Sequence, residues 1–87
     1  MSTSRQPVVV YGTEWCRDTK ATRAQLDRLG VAYRYVDIDS DAAGDAWVKE
    51  HNAGKRKMPT LDVGGTILSI PDEQALSAAL RTTGTLG

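Results

Sequence analysis

The sequence predicts an α/β fold with the element order β-α-β-α-β-β-α, in which one four-stranded mixed sheet is flanked by helices. Three observations carry this prediction: an apolar strand-like run near the start, segments of helical periodicity, and a glycine pair between two short β-like runs. Because a β-α-β unit joins parallel strands through a right-handed crossover, the first two strands should be parallel. The later hairpin then adds two more strands to the same sheet.

Residues 8–29 predict the first strand and the first helix. Val8-Val9-Val10-Tyr11 is a continuous apolar run, typical of a strand covered on both faces, and Gly12-Thr13 closes it. From about Cys16 to Leu29 the pattern becomes helical, with one face formed by Thr22, Leu26 and Leu29. Gly30 follows directly, where a C-cap glycine belongs.

A second strand and a second helix are predicted from residues 33–52. The run Tyr33-Arg34-Tyr35-Val36-Asp37-Ile38-Asp39 indicates a strand that ends in acidic residues. Ser40 or Asp41 can cap the helix, which runs to about Asn52. This helix is expected to turn three side chains inward: Ala43, Trp47 and Val48.

The last third of the chain predicts a hairpin and a final helix. Met58-Pro59-Thr60 leads into a strand at Leu61-Asp62-Val63, and Gly64-Gly65 is a tight two-residue turn to its partner, Thr66-Ile67-Leu68-Ser69. Pro71-Asp72 opens the final helix, which carries Leu76 and Leu80 on one face. The tail from Thr82 to Gly87 is expected to be frayed.

Length and composition limit what the chain can be. Its 87 residues suit a single domain spanning 1–87, with a core of about 7–81. Basic and acidic residues both number 11, so no net charge is available to hold nucleic acid or an anionic membrane. The single cysteine excludes an internal disulfide, which suits a reducing compartment, and no signal-peptide or membrane-spanning stretch is visible. We therefore expect a soluble cytoplasmic monomer.

Cys16 is the residue whose position points most clearly to chemistry. It lies at or near the first turn of the first helix, where free N–H groups and the helix dipole favour the thiolate that attacks disulfides. Arg17 adds a positive charge beside it, Asp18 opposes that charge, and Trp15 would wall one side of the thiol. The competing interpretation is a buried, unreactive cysteine. The strand-to-helix turn favours function, because open α/β sheets bind ligands at the carboxyl ends of their strands.

Three motifs resemble the glutaredoxin family, especially its actinobacterial mycoredoxin branch. They are Val10-Tyr11-Gly12-Thr13-Glu14-Trp15-Cys16, the strand at 33–39, and the loop Asn52-Ala53-Gly54-Lys55-Arg56-Lys57-Met58-Pro59-Thr60. The similarity as a whole runs over roughly residues 7–81. The resemblance implies a thioredoxin-like fold and thiol–disulfide oxidoreductase activity in redox homeostasis, with glutathione or mycothiol as co-substrate. It places an active-site loop around the catalytic Cys16, formed by Tyr11, Trp15, Arg17, Asp18 and Thr19.

The resemblance also implies where a small thiol binds. Met58-Pro59 would be a cis bond lying against Cys16, and the Met58 backbone would pair with the backbone of the bound thiol. A proline at the first residue of a strand is also expected on physical grounds, because it cannot donate a ladder hydrogen bond. Pro71 and Asp72 occupy the family's other ligand-facing turn. Asp72 there either meets a ligand amine or caps the helix.

The basic triplet before that proline has two interpretations. In the family, the residue equivalent to Arg56 binds a carboxylate of the low-molecular-weight thiol, and Lys55 or Lys57 would assist it. A run of charges is otherwise typical of a solvated loop. The position of the triplet immediately before Met58-Pro59 favours binding.

Thr19 departs from the C-x-x-C pattern of most of the family, because it stands where the second cysteine would be. A bound thiol must then be released by an external thiol, which is a monothiol mechanism. The Thr19 hydroxyl either donates to the Cys16 sulfur or bonds back into its own helix. The leading hypothesis is therefore a monothiol oxidoreductase acting on mixed disulfides between proteins and a small thiol.

Two alternatives stay open at this point. One is a non-catalytic thiol-binding or protein-binding module on the same scaffold, since fold does not determine function. The other is an iron–sulfur cluster carrier, which the sequence does not favour because the glycine-phenylalanine pair of cluster-binding relatives is missing. No resident metal is expected, since there is no second cysteine and His51 is the only histidine.

Overall fold

A computed structural model describes residues 7–85 of the chain. Its helices and strands follow the order that the sequence predicts. The elements are β1 (Val8–Gly12), α1 (Arg17–Arg28), β2 (Tyr33–Asp37), α2 (Ala42–His51), β3 (Thr60–Val63), β4 (Thr66–Ser69) and α3 (Glu73–Thr82). The sheet order is β2-β1-β3-β4. β1 runs parallel to β2 and antiparallel to β3, and β4 pairs antiparallel with β3. This is the thioredoxin-like arrangement that the sequence predicted.

β1 is buried on both faces, as its apolar run predicts. Val8 and Val10 face a cluster that contains Leu26 of α1 together with Leu76 and Leu80 of α3. The opposite face of the sheet packs on α2, in a second cluster formed by Val9, Val36, Ile38 and Val48. Alternate residues of β1 thus contribute to the apolar clusters on the two faces of the sheet.

Two core assignments from the helical patterns are wrong, both for local reasons. Leu29 is 39% exposed because α1 ends at Arg28 and Leu29 is its C-cap. Val31 is buried in its place, and its N–H bonds to the Leu26 carbonyl. Ala43 is exposed, whereas Gly44 is buried so tightly that a Cβ there would overlap a Val36 methyl.

Other expectations can be compared with the structure at the element ends. The second strand ends at Asp37, two residues earlier than predicted, because residues 38–40 form a turn. Gly64 and Gly65 form the predicted two-residue hairpin turn, both with positive φ. In the predicted frayed tail, α3 continues to Thr82 and residues 83–85 form a turn, while residues 86–87 lie outside the described part. Within residues 7–85, no helix has the length and apolarity to cross a bilayer.

The sheet register brings two distant loops together. Tyr11, near the end of β1, is paired with Thr60, the first residue of antiparallel β3. The segment that leaves β1 toward α1 therefore lies beside the segment that enters β3. Cys16 is in the first segment and Met58-Pro59 is in the second.

Candidate active site

Cys16 is the N-cap residue of α1, as the sequence predicts. Its backbone is extended (φ −78°, ψ 124°), its N–H donates to the Thr13 carbonyl at 3.3 Å, and its carbonyl accepts the first helical bond from Lys20 at 3.1 Å. The side chain is half-buried and accepts no capping bond. The thiol therefore lies at the positive end of the helix dipole with an open approach from solvent.

The loop before β3 places a carbonyl group against this thiol. The Met58-Pro59 bond is cis, as the resemblance implied, and the Met58 oxygen lies 3.9 Å from the Cys16 Sγ. Pro59 is buried, and its carbonyl accepts the Ile70 N–H at 2.8 Å. The Thr60 hydroxyl donates to the Lys57 carbonyl at 2.8 Å. These bonds secure the loop to β3 and to the end of β4.

Thr19 occupies the position where most of the family has a second cysteine, and it is only 1% exposed. Its side chain packs against Gly12, where a Cβ would overlap the threonine. Among the described residues its hydroxyl has no hydrogen-bond partner, so neither the predicted bond to Cys16 nor a bond into the helix forms. This segment thus contains one thiol and, three residues later in α1, a buried hydroxyl.

Trp15 and Arg56 are joined through Asp39, a connection that the sequence did not predict. The Trp15 indole N–H donates to Asp39 Oδ2 at 2.8 Å, while the ring is 64% exposed. The Arg56 guanidinium binds Asp39 Oδ1 at 2.7 Å and the Ile38 carbonyl at 3.0 Å. Its Nε donates to Asp45 at 2.7 Å. The one available signal was that acidic residues end β2 at the same edge as Cys16.

These contacts shift the titration of both carboxylates. Hydrogen bonding to Arg56, and then to Trp15, lowers the pKa of Asp39 below its usual 3.8. Hydrogen bonding to Arg56, and then to Lys49, lowers the pKa of Asp45 in the same way. Arg56 thus already holds two carboxylates of its own chain, whereas Lys55 and Lys57 are exposed.

The other residues assigned to the site fall into two places. Arg17 and Asp18 are exposed in the first turn of α1. Tyr11 stacks on Trp47 across the α2 face of the sheet, with ring centroids 4.1 Å apart and an interplanar angle of 17°. The His51 ring also packs against Trp47, with ring centroids 4.2 Å apart. Trp47 therefore belongs to the edge of the second apolar cluster, as expected.

Asp72 caps α3, since its Oδ1 accepts the Ala75 N–H at 2.7 Å. This is one of the two roles that the sequence left open, and the second carboxylate oxygen is not used by the cap. Asp72 also lines a groove of about 300 Å³ between the first turns of α1 and the turn before α3. Its walls include Asp18, Gln25, Ile70 and Pro71. In residues 7–85, no three His, Cys, Asp or Glu side chains are grouped for a metal ion.

A thiol at a helix N-cap, opposite a cis-proline that opens an antiparallel strand, defines a candidate thiol-redox site on a thioredoxin-like fold. The sequence model described as Glutaredoxin matches residues 8–68. The chain therefore belongs to the glutaredoxin family, whose chemistry is thiol–disulfide oxidoreduction. The resemblance stated from the sequence motifs is confirmed.

Individual relatives agree with this family. Mycoredoxin 1 of Corynebacterium glutamicum is 37% identical over 54 residues, which cover 62% of this chain and 66% of that protein. A Mycobacterium tuberculosis protein named as a putative glutaredoxin is 30% identical over 74 residues, covering 84% of this chain and 88% of the relative. Among solved structures, a thioredoxin-like protein superimposes with a TM-score of 0.77 at 21% identity, over 87% of this chain and 96% of that one. The last comparison supports the fold.

Proposed function

We propose that this chain is a monothiol thiol–disulfide oxidoreductase that reduces mixed disulfides between proteins and a low-molecular-weight thiol. The observation that carries the proposal is the setting of Cys16. Its half-buried Sγ lies at the N-cap of α1, 3.9 Å from the Met58 carbonyl, and Thr19 stands where a resolving cysteine would be. The chain has no other cysteine.

The reaction has two exchange steps. In the first, the Cys16 thiolate attacks the small-thiol sulfur of the mixed disulfide. A bond forms between Cys16 and the small thiol, the original S–S bond breaks, and the target leaves as a thiolate that takes a proton from water. In the second, another molecule of the small thiol attacks the adduct. It attacks as a thiolate, forms a symmetrical small-thiol disulfide and returns Cys16 as thiolate. Each turnover therefore consumes one free small thiol, because the other half of the new disulfide comes from the mixed disulfide.

The backbone around Cys16 supports both steps. The unpaired N–H groups and the dipole of α1 stabilise the negative charge that returns to Sγ after each exchange. While Cys16 is protonated, its S–H group donates a hydrogen bond to the Met58 carbonyl. Next to the cis bond with Pro59, the Met58 backbone is assigned the role of pairing with the backbone of the small thiol.

Polar side chains are assigned to the ends of the small thiol. A ligand carboxylate would have to compete with Asp39 and Asp45 for Arg56, so Lys57, exposed in the same loop, is the stronger candidate for that contact. Pro71 forms part of the groove wall, and the free oxygen of Asp72 can accept an ammonium group. Glutathione and mycothiol are the two co-substrates to compare, since one of the relatives is a mycoredoxin.

Mass spectrometry of the intact protein tests this proposal. The reduced chain is mixed with one peptide carried as its glutathione mixed disulfide and, separately, as its mycothiol mixed disulfide. We expect a single small-thiol adduct on Cys16 and release of the free peptide. Cys16→Ser is the control and should give neither product. Absence of any adduct in the wild-type chain would contradict the proposal, and retained binding by the Cys16→Ser protein would then favour the non-catalytic module.

A further inference from the structure

Ile70 has a backbone conformation that does not suit its side chain. Its φ is +49°, in the left-handed region, and it directly precedes Pro71. For a β-branched residue this conformation is a genuine outlier, because Cβ approaches the following carbonyl. Ala53 is the only other non-glycine residue with positive φ between residues 7 and 85.

Packing of the Ile70 side chain does little to offset this strain. The Ile70 side chain is 48% exposed, and neither of the two apolar clusters of the described chain includes it. A residue such as asparagine or glycine would adopt the same backbone more easily. Backbone strain of this kind, which packing does not explain, is found most often at functional sites.

The position of Ile70 supplies a reason of that kind. Its N–H donates to the carbonyl of Pro59, whose neighbour Met58 contacts the Cys16 sulfur. Its side chain also lines the groove that begins at Asp18, two residues beyond the thiol. Ile70 is therefore a half-exposed apolar side chain that borders this groove and whose backbone is bonded to the loop that contacts the Cys16 sulfur.

We propose that Ile70 is a specificity-determining residue, which favours protein substrates with apolar side chains next to their disulfide-bonded cysteine. The proposal rests on the exchange reaction proposed above. Polar and apolar side chains line the groove together, and Ile70 is the largest apolar side chain among them. Covering its exposed half would favour such substrates by ~5-fold in the rate of exchange at low substrate concentration.

A pair of matched peptides tests the preference. Each peptide carries one cysteine as a mixed disulfide with 2-mercaptoethanol, and the two residues flanking that cysteine are leucine in one peptide and serine in the other. The 2-mercaptoethanol group, which is transferred to Cys16, is too small to occupy the carboxylate and amine contacts of the site. Reduced protein is added, and both the release of peptide thiol and the adduct on Cys16 are followed.

The wild-type chain should react ~5-fold faster with the leucine peptide. Ile70→Asn should react with both at similar rates, whereas Ile70→Leu should retain the preference. Ile67→Asn is the matched control, because Ile67 is a similarly exposed isoleucine of the same hairpin (36%) with ordinary φ and lies outside the groove. It should react like wild type.

Thermal unfolding of the same variants tests the strain separately. Each asparagine variant loses part of an isoleucine contact, but only Ile70→Asn also relieves a left-handed backbone. Ile70→Asn should therefore keep a higher Tm than Ile67→Asn. Equal losses of Tm in the two variants would overturn the strain argument and, with it, the proposal.

The kinetic outcomes separate the two proposals. If neither peptide forms an adduct with the wild-type chain, the exchange reaction itself is wrong and the specificity falls with it. If the wild-type chain reacts equally with both peptides, or if Ile70→Asn retains the preference, the exchange reaction stands and the role of Ile70 is wrong.

Discussion

Trp15 donates its indole N–H to Asp39, and this bond joins the cysteine loop to the turn that follows β2. The other oxygen of Asp39 binds Arg56, which lies two residues before Met58. One carboxylate therefore links the residue before Cys16 to the loop whose carbonyl contacts the Cys16 sulfur. A substitution at Asp39 should therefore alter the position of both the cysteine loop and the loop before β3.

Asp39→Ala should reduce the rate of exchange at Cys16 by ~3–10-fold, because the two loops lose their common tether. A variant with Trp47→Phe leaves Trp15 as the only tryptophan, so its fluorescence reports the same bond. Asp39→Ala in this background should shift the Trp15 emission, while Asp39→Glu should partly restore both emission and rate. An unchanged rate with a shifted emission would show that the tether does not position the thiol.

The Arg56 ion pairs predict a pH dependence of stability. Arg56 lowers the pKa of Asp39 and of Asp45, so these carboxylates stabilise the fold above their unfolded value of about 3.8. This stabilisation is lost as the pH falls through the lowered folded values. Arg56→Gln should therefore have a lower urea midpoint than wild type at neutral pH, and the difference should vanish in strong acid.

Salt gives the control for that prediction. Asp39 is exposed and Asp45 is partly exposed, so added salt should reduce the difference between Arg56→Gln and wild type at neutral pH. A difference that persists unchanged in acid would mean that Arg56 stabilises the loop by packing or by its bond to the Ile38 carbonyl.

Features set by local sequence could be predicted, and features set by distant partners could not. The apolar run of β1, the Gly64-Gly65 turn and the helix start at Cys16 each depend on a few neighbouring residues. Arg56, in contrast, meets Asp39 from 17 positions away, and its charge alone does not distinguish a ligand contact from an internal ion pair. No sequence pattern predicted the left-handed backbone of Ile70, because a β-branched side chain favours negative φ.

Tyr35 predicts a second pH effect, at the alkaline end. Burial, and after it the carboxylate of Glu14, raises the pKa of Tyr35 from 10.0 to about 12. The folded chain thus keeps the phenol neutral between pH 10 and 12, while the unfolded chain ionises it, so stability falls as the pH rises through this range. Tyr35→Phe should lose less stability over that range than wild type, and its ultraviolet titration should lack the phenolate that forms near pH 12. Identical alkaline profiles would contradict the assignment.

The buried hydroxyl of Thr19, three residues after Cys16, can be tested against that of a matched residue. Its Oγ1 has no partner among the described residues, so Thr19→Val removes an unsatisfied polar group at nearly constant volume. This change should stabilise the fold by ~1 kcal/mol. Thr60 is equally buried, but its hydroxyl donates to Lys57 and accepts from Asn52. Thr60→Val should therefore destabilise the fold by a similar amount, as measured by urea unfolding. If Thr19→Val is instead the destabilising change, its hydroxyl has a partner in solution. Cys16, three residues earlier in the chain, can then be examined by comparing the exchange rates of the two variants.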